Sequence, residues 1–425
     1  MELFNIIAIL LTLAAVFSYI NHQYIGLPVS IGVTLMALVM SLGLIVLDAA
    51  GVGLAERIQI VLGQINFSDT LLQGMLSFLL FAGALHINVN QLMARKWVIG
   101  VLASVGVLLS TFLVAGMSWV LLGWLGLSLP FIYCVLFGAL ISPTDPIAVL
   151  GILKTAGAPK SLEMNIAGES LFNDGVGVVV FLVVMEFASG GSSPHFSDVA
   201  VLFLREAIGG GLFGLVVGYI AFWMLRSVDH YQVEILITLA LVTGGYALAA
   251  ALHLSGPIAV VVAGLLIGNH GRLFAMSKET RHHLDIFWEL VDEVLNAVLF
   301  LLIGLEVLVL SFTGATLAAG LIIIPFVLLA RLVTVGLPVS ILRPFANFSP
   351  GAIRIMTWGG LRGGISVALA LSIAPGPARD IILPMTYATV LFSIVVQGLT
   401  VEKLVRRTLR KHPAEEDQGV VPVSK

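Results

Sequence analysis

Apolar residues run along this chain in stretches of about twenty, each closed by a short polar or Gly/Pro break, and that is the length an α-helix needs to cross the hydrocarbon core of a bilayer. The stretches fall at about 4–20, 27–47, 70–87, 97–125, 130–153, 161–188, 199–225, 232–253, 255–268, 282–310, 315–341, 352–373 and 379–405. They predict an all-α polytopic membrane protein with about thirteen transmembrane helices. The ninth is short, and its boundary with the eighth, at His253-Leu254-Ser255-Gly256-Pro257, is the least marked. Segment 51–66, with Glu56, Arg57 and Gln59, reads as an interfacial connector. Met1-Glu2 offers no basic leader and no small-residue cleavage site follows, so the first helix is expected to be retained.

Two stretches carry residues a plain anchor would not tolerate. The fifth holds Ser142-Pro143-Thr144-Asp145-Pro146, where two prolines remove backbone donors and crowd the preceding turn. The twelfth holds Gly359-Gly360-Leu361-Arg362-Gly363-Gly364. Both should unwind, and unwound backbone at membrane depth persists only where protein or a wet cavity satisfies it. Seven steps separate the two, so they run in opposite directions through the bilayer. That topology predicts inverted repeats, at about 4–188 and 232–405, joined by a connector helix at about 199–225, with an ion site near the midplane. The membrane domain would span 1–405, and 406–425 would be a short cytoplasmic tail.

Charge then orients the bundle. With the amino terminus outside, the inner loops hold Arg95, Lys96, Lys154, Lys160, Arg226, Arg272, Lys278, Arg281 and Arg343, and the tail holds Lys403, Arg406, Arg407, Arg410 and Lys411, whereas the outer loops hold Arg57 and Arg379. This asymmetry predicts an outside amino terminus and a cytoplasmic carboxyl terminus in a plasma (inner) membrane. Composition agrees: 59% of residues are hydrophobic and 11% charged, against about 25% charged in soluble domains. The one cysteine, Cys134, excludes an internal disulfide. No Gly-x-x-x-x-Gly-Lys-Ser/Thr loop occurs, so neither nucleotide nor nucleic acid is expected as a partner, and ion gradients would supply the energy.

The candidate chemistry lies in the sixth stretch, at Gly168-Glu169-Ser170-Leu171-Phe172-Asn173-Asp174-Gly175. An acid at mid-bilayer costs roughly 2.5–3.5 kcal/mol on insertion scales, so it is expected to face a cavity and to work. Helical spacing stacks Ser170 with Asp174 on one face, and Glu169 with Asn173 about 100° away. Glu169 needs a partner, because an unpaired buried charge costs about 3–5 kcal/mol. Arg331 is the expected one, leaving Arg362 against the negative carboxyl ends of the half-helices.

Five motifs then carry a resemblance: Ser-Pro-Thr-Asp-Pro at 142–146, Glu-Ser-Leu-Phe-Asn-Asp-Gly at 169–175, Phe-Trp-Glu-Leu at 287–290, Leu-Leu-Ile-Gly-Leu-Glu at 301–306 and Gly-Gly-Leu-Arg-Gly at 359–363. In order and spacing the chain resembles monovalent cation/proton antiporters of the NhaP and NHE branch, over nearly the whole membrane part. The resemblance implies an NhaA-like antiporter fold and a cargo of Na+ or Li+ exchanged for H+ in pH homeostasis. It implies a cation and proton site at Asp174, with Ser170, Asp145 and Thr144 as further Na+ ligands. It also implies a homodimer, a moving core carrying the fifth, sixth and twelfth helices, and no cofactor beyond the transported ions. Such an oxygen set suits an alkali cation, and burial beside a second carboxylate favours the protonated acid, so one aspartate would trade a proton for a cation. Asn173 stands where electrogenic relatives carry a second aspartate, which implies electroneutral exchange with the amide bridging the unwound fifth helix.

Other readings stay beside this one. Potassium/proton exchange is the alternative within transport, and a cation channel and an intramembrane hydrolase are kept from other classes. The hydrolase is disfavoured because Ser170 has no histidine in its stretch, and no enzymatic role is expected. Glu289, Asp292 and Glu293 would form a cytoplasmic funnel or pH sensor, or a solvated helix start. Asn296 would face the cavity or simply pack. Arg281-His282-His283-Leu284-Asp285 has adjacent histidines pointing apart, a poor metal site. Gly209-Gly210-Gly211 and Gly214 would serve either a dimer interface or packing within the chain. In Phe81-Ala82-Gly83-Ala84-Leu85, alanine stands where some relatives carry an acid.

Overall fold

The computed structural model describes residues 3–49, 70–190, 201–202, 204–308, 310, 313–346 and 348–411. The expected connector at 51–66 with Arg57, and the tail beyond 411, lie outside them. Among the described residues the apolar stretches are helical and no strand of more than a single bridge occurs. In chain order they are α1 (Phe4–Ile25), α2 (Val29–Asp48), α3 (Thr70–Leu85) and α4 (Lys96–Trp124). The fifth stretch is split into α5 (Phe131–Ile141) and α6 (Ile147–Thr155). Then come α7 (Lys160–Ala188), α8 (Arg205–Arg226), α9 (Tyr231–Ala251), α10 (Gly256–Phe274), α11 (Lys278–Leu305) and α12 (Gly314–Leu342). The twelfth stretch is split into α13 (Ala352–Trp358) and α14 (Gly364–Ser372), and α15 (Pro377–Leu409) closes the bundle. Nine of these, α1, α2, α4, α7 to α10, α12 and α15, are long and apolar enough to cross a membrane unbroken.

The two splits fall at the Pro and Gly clusters. Residues 142–146 leave the helix after Ile141, and 359–363 leave it after Trp358. The extended pieces meet: the Asp145 N–H donates to the Leu361 carbonyl at 2.8 Å, an isolated antiparallel bridge. The backbone groups freed by each break are thus partly satisfied by the other.

Close helix approach elsewhere depends on small residues, as expected where apolar burial alone does not favour helix on helix. Gly138 of α5 lies against the Thr111 backbone of α4, Gly268 of α10 against Leu85 of α3, and Gly304 of α11 against Ala37 of α2. Gly210 and Gly214 of α8 press on the backbone at Ser255 and Ala259 of α10. The glycine run therefore packs within the chain. The opposite face of α8, with Leu212, Leu215, Tyr219 and Trp223 exposed, is left to lipid or another chain.

The corner before α10 is tight. His253 takes φ 55°, Ser255 Oγ accepts from the Ile258 N–H at 3.4 Å, and Pro257 stands in the first turn, where its missing donor costs nothing. Helix α10 is longer than the apolar pattern indicates, because it continues through a widened turn at Ile267–Gly271. A second apolar cluster centres on fully buried Trp288 of α11, whose ring meets Phe81 at 4.7 Å and whose Nε1–H donates to Thr238 Oγ1 at 3.1 Å. It ties α3, α8, α9, α10 and α11 together.

Candidate functional site

Helix α7 is the element on which the predicted residues converge, because three of its glycines let three different neighbours approach. Gly168 lets it approach Ile99 of α4, and Gly177 leaves room for the Pro143 ring of the first break. Gly175 lets Ile258 of α10 approach, with an added Cβ there only 3.0 Å from it. Between these glycines lie the polar groups.

Thr144, from the first break, is held by two of them. Its hydroxyl lies 3.1 Å from Ser170 Oγ and accepts from Asn173 Nδ2 at 2.9 Å, while its N–H donates to Asn173 Oδ1 at 3.4 Å. The amide of Asn173 thus spans the unwound backbone. Asp145 Oδ1 accepts from the N–H of Ile147, the first residue of α6, at 2.9 Å. An added Cβ at Gly363 would sit 2.5 Å from Asp145 Oδ2, so only glycine lets this carboxylate lie against the second break.

Asp174 is 9% exposed, and no described residue donates a hydrogen bond or forms an ion pair with it. Its charged neighbour is Asp145. Two carboxylates, the hydroxyls of Ser170 and Thr144, and the unwound backbone therefore form a set of hard oxygens. Such a set suits an alkali cation, and the free carboxylate suits a proton.

One turn below, Glu169 is buried and Arg331 of α12 grips it with both arms, Nη1 to Oε1 at 2.5 Å and Nη2 to Oε2 at 3.1 Å. Arg331 Nη2 also donates to the Met356 carbonyl at the end of α13. Gly360 must be glycine here, since a Cβ would lie 2.5 Å from Arg331 Nε. Arg362 Nη1 donates to the Ser142 and Pro143 carbonyls at 2.5 and 2.9 Å, placing its charge at the negative carboxyl end of α5. Two other arginines that fall within the predicted spans, Arg205 and Arg354, are exposed at the starts of α8 and α13.

Sequence reasoning missed the support that α15 gives the second break. Ser393 Oγ accepts from the Arg362 N–H at 2.9 Å, and Gln397 Nε2 donates to the Trp358 carbonyl at 2.8 Å. Two polar residues at i and i+4 in an apolar run were the available signal. The acids of α11 separate: Glu289 and Glu293 are exposed, whereas Asp292 is half-buried and within electrostatic reach of Asp145. Asp285 pairs with Arg272, His283 stacks on Tyr231, and among the described residues no group of three or more metal-ligating side chains occurs. Ala82, 1% exposed, packs in the Trp288 cluster.

A helical membrane bundle in which two interrupted helices cross, with a buried carboxylate beside the crossing that no described residue pairs, has the architecture of a secondary transporter. A family model described as sodium/hydrogen exchanger, transmembrane, matches residues 9–407, and the chain belongs to that family. It is 52% identical to the Na+/H+ antiporter NhaP of Pseudomonas aeruginosa over 420 residues, covering 98% of this chain and 99% of that one. It is 37% identical to the Na+/H+ antiporter NhaH of Halobacillus dabanensis over 350 residues, covering 80% and 83%. Among solved structures, the sodium proton antiporter MjNhaP1 from Methanocaldococcus jannaschii at pH 8 matches with a TM-score of 0.73 at 21% identity, over 96% of this chain and 100% of that one, a likeness of fold.

Proposed function

We propose that this protein exchanges Na+, or Li+, for H+ one for one across the plasma membrane by alternating access at Asp174. The observation that carries the reading is the buried Asp174 carboxylate without a fixed partner, next to Asp145 and to the two breaks. A cation and a proton cannot both neutralise one carboxylate. The empty site keeps its charge and is the form least able to pass the apolar barrier, so transport of one ion requires return of the other. Asp145, Ser170 and Thr144 complete the Na+ shell, while Asn173 holds the unwound segment.

The moving core would carry α5, α6, α7, α13 and α14, with the ion pair Glu169–Arg331 and the Arg362 clamp keeping both breaks rigid as it moves. The amino terminus lies outside and the carboxyl terminus in the cytoplasm, the orientation that the basic residues favour. A homodimer would anchor the remaining helices.

The test is proton movement in proteoliposomes after jumps of external Na+, Li+ or K+. Na+ and Li+ are expected to alkalinise the lumen at a rate unchanged when the membrane potential is clamped. A response to K+ alone would replace the cation assigned here. Currents without obligatory proton movement would make the protein a channel.

A further inference from the structure

The middle of α11 carries a half-buried acid, Asp292, that the exchange cycle at Asp174 does not use. Leu299 of this helix packs against Gly364, where α14 begins at the second break. Asp292, Asn296 and Leu299 are spaced by four and three residues and share that face. At 1.5 Å rise per residue, Asn296 lies about 4.5 Å and Asp292 about 10 Å before the level of Leu299. Both stand on the approach to the crossing.

Asn296 is 6% exposed and lies one helical turn beyond Asp292 on the same face. Its amide oxygen, Oδ1, is buried and has no partner among the described residues. A buried acceptor left in this state costs about 1–3 kcal/mol, an arrangement that a positively charged or donating ligand relieves. The next acid inward is Asp145, which is within electrostatic reach of Asp292 on one side and of Asp174 on the other. Glu289 and Glu293, the other acids of this turn, are exposed and lie within electrostatic reach of Asp292.

We propose that the Asp292 carboxylate and Asn296 Oδ1 form a second site for a partly hydrated monovalent cation, a waypoint between the cytoplasm and Asp174. The site has one charge and few oxygens, which suits a monovalent ion that keeps some of its water and moves on, and is too sparse for a divalent one. Its cytoplasmic side rests on the orientation and the cargo given under Proposed function.

The probe is thallium(I), a heavy monovalent cation, introduced into crystals of the full chain. Two anomalous peaks are expected, one at Asp174 and Asp145 and one between Asp292 and Asn296. Asn296→Leu should keep the first, lose the second, and raise about tenfold the cytoplasmic Na+ concentration that half-saturates exchange. Asp292→Asn, with the same shape, should do likewise and serves should leucine disturb the packing. A wild-type peak at Asp174 alone, or half-saturation unchanged in both variants, would overturn the waypoint. A peak at Asp292 without one at Asp174 would support the waypoint and refute Asp174 as the carrier.

Discussion

Replacing Asp174 with asparagine is expected to abolish Na+-driven proton movement while leaving the fold intact. The substitution keeps the size and one oxygen of the side chain but removes the negative charge and the proton that the carboxylate takes up. A cation in this buried place without its counter-charge is less stable by about 3–5 kcal/mol, a hundredfold to several thousandfold in occupancy. The coupled proton is lost altogether, because an amide does not titrate. No described residue pairs with Asp174, so nothing is left stranded by its neutralisation, and thermal stability should stay the same or rise. Proton flux in proteoliposomes and melting of the purified protein in detergent, measured together, check both halves. Wild-type exchange rates in the variant would refute the site.

Arg331→Ala is expected to have the largest effect on stability. It removes a guanidinium that holds both oxygens of buried Glu169 and the Met356 carbonyl at the end of α13. Breaking a buried pair from one side costs about 3–5 kcal/mol, mostly from the charge left behind. Glu169→Gln combined with Arg331→Ala leaves no such charge and should recover much of the loss, so the double variant should melt above the Arg331 single variant. Since α7 and α12 meet through this pair, the single variant should also lose transport. An Arg331→Ala protein with unchanged melting and transport would contradict the role of the pair.

Much of this was legible in the sequence because a few residues have few physical options. Pro143 and Pro146 cannot continue a helix, and the glycines around Arg362 have little reason to, so both breaks were readable, as was their opposed direction from the parity of the spans between them. The cost of a lone buried charge requires a basic partner for Glu169, but it does not choose Arg331 over Arg362; the fold does, by bringing α12 against α7. Facing was harder to read. Periodicity groups Glu289, Asp292 and Glu293 into one turn but does not say which points inward, and that depends on Leu299 meeting Gly364. The glycines of α8 were equally consistent with two partners until Ser255 and Ala259 occupied their face. Ser393 and Gln397 looked like isolated polar residues because the backbone they hold is more than thirty residues away in sequence, a distance that no local pattern spans. Helix α10 extends past its apolar stretch because it widens and continues through polar Asn269 and His270.

The central claim, that one carboxylate holds either a metal ion or a proton, is tested most directly by counting protons released as Na+ binds. Calorimetric titration of the detergent-solubilised protein with Na+, repeated in buffers of different ionisation enthalpy, gives that number. Close to one proton per bound Na+ is expected at a pH where the empty site is protonated, with no Na+ heat in Asp174→Asn. Na+ binding that releases no proton at any pH, or release that persists in the variant, would contradict the account.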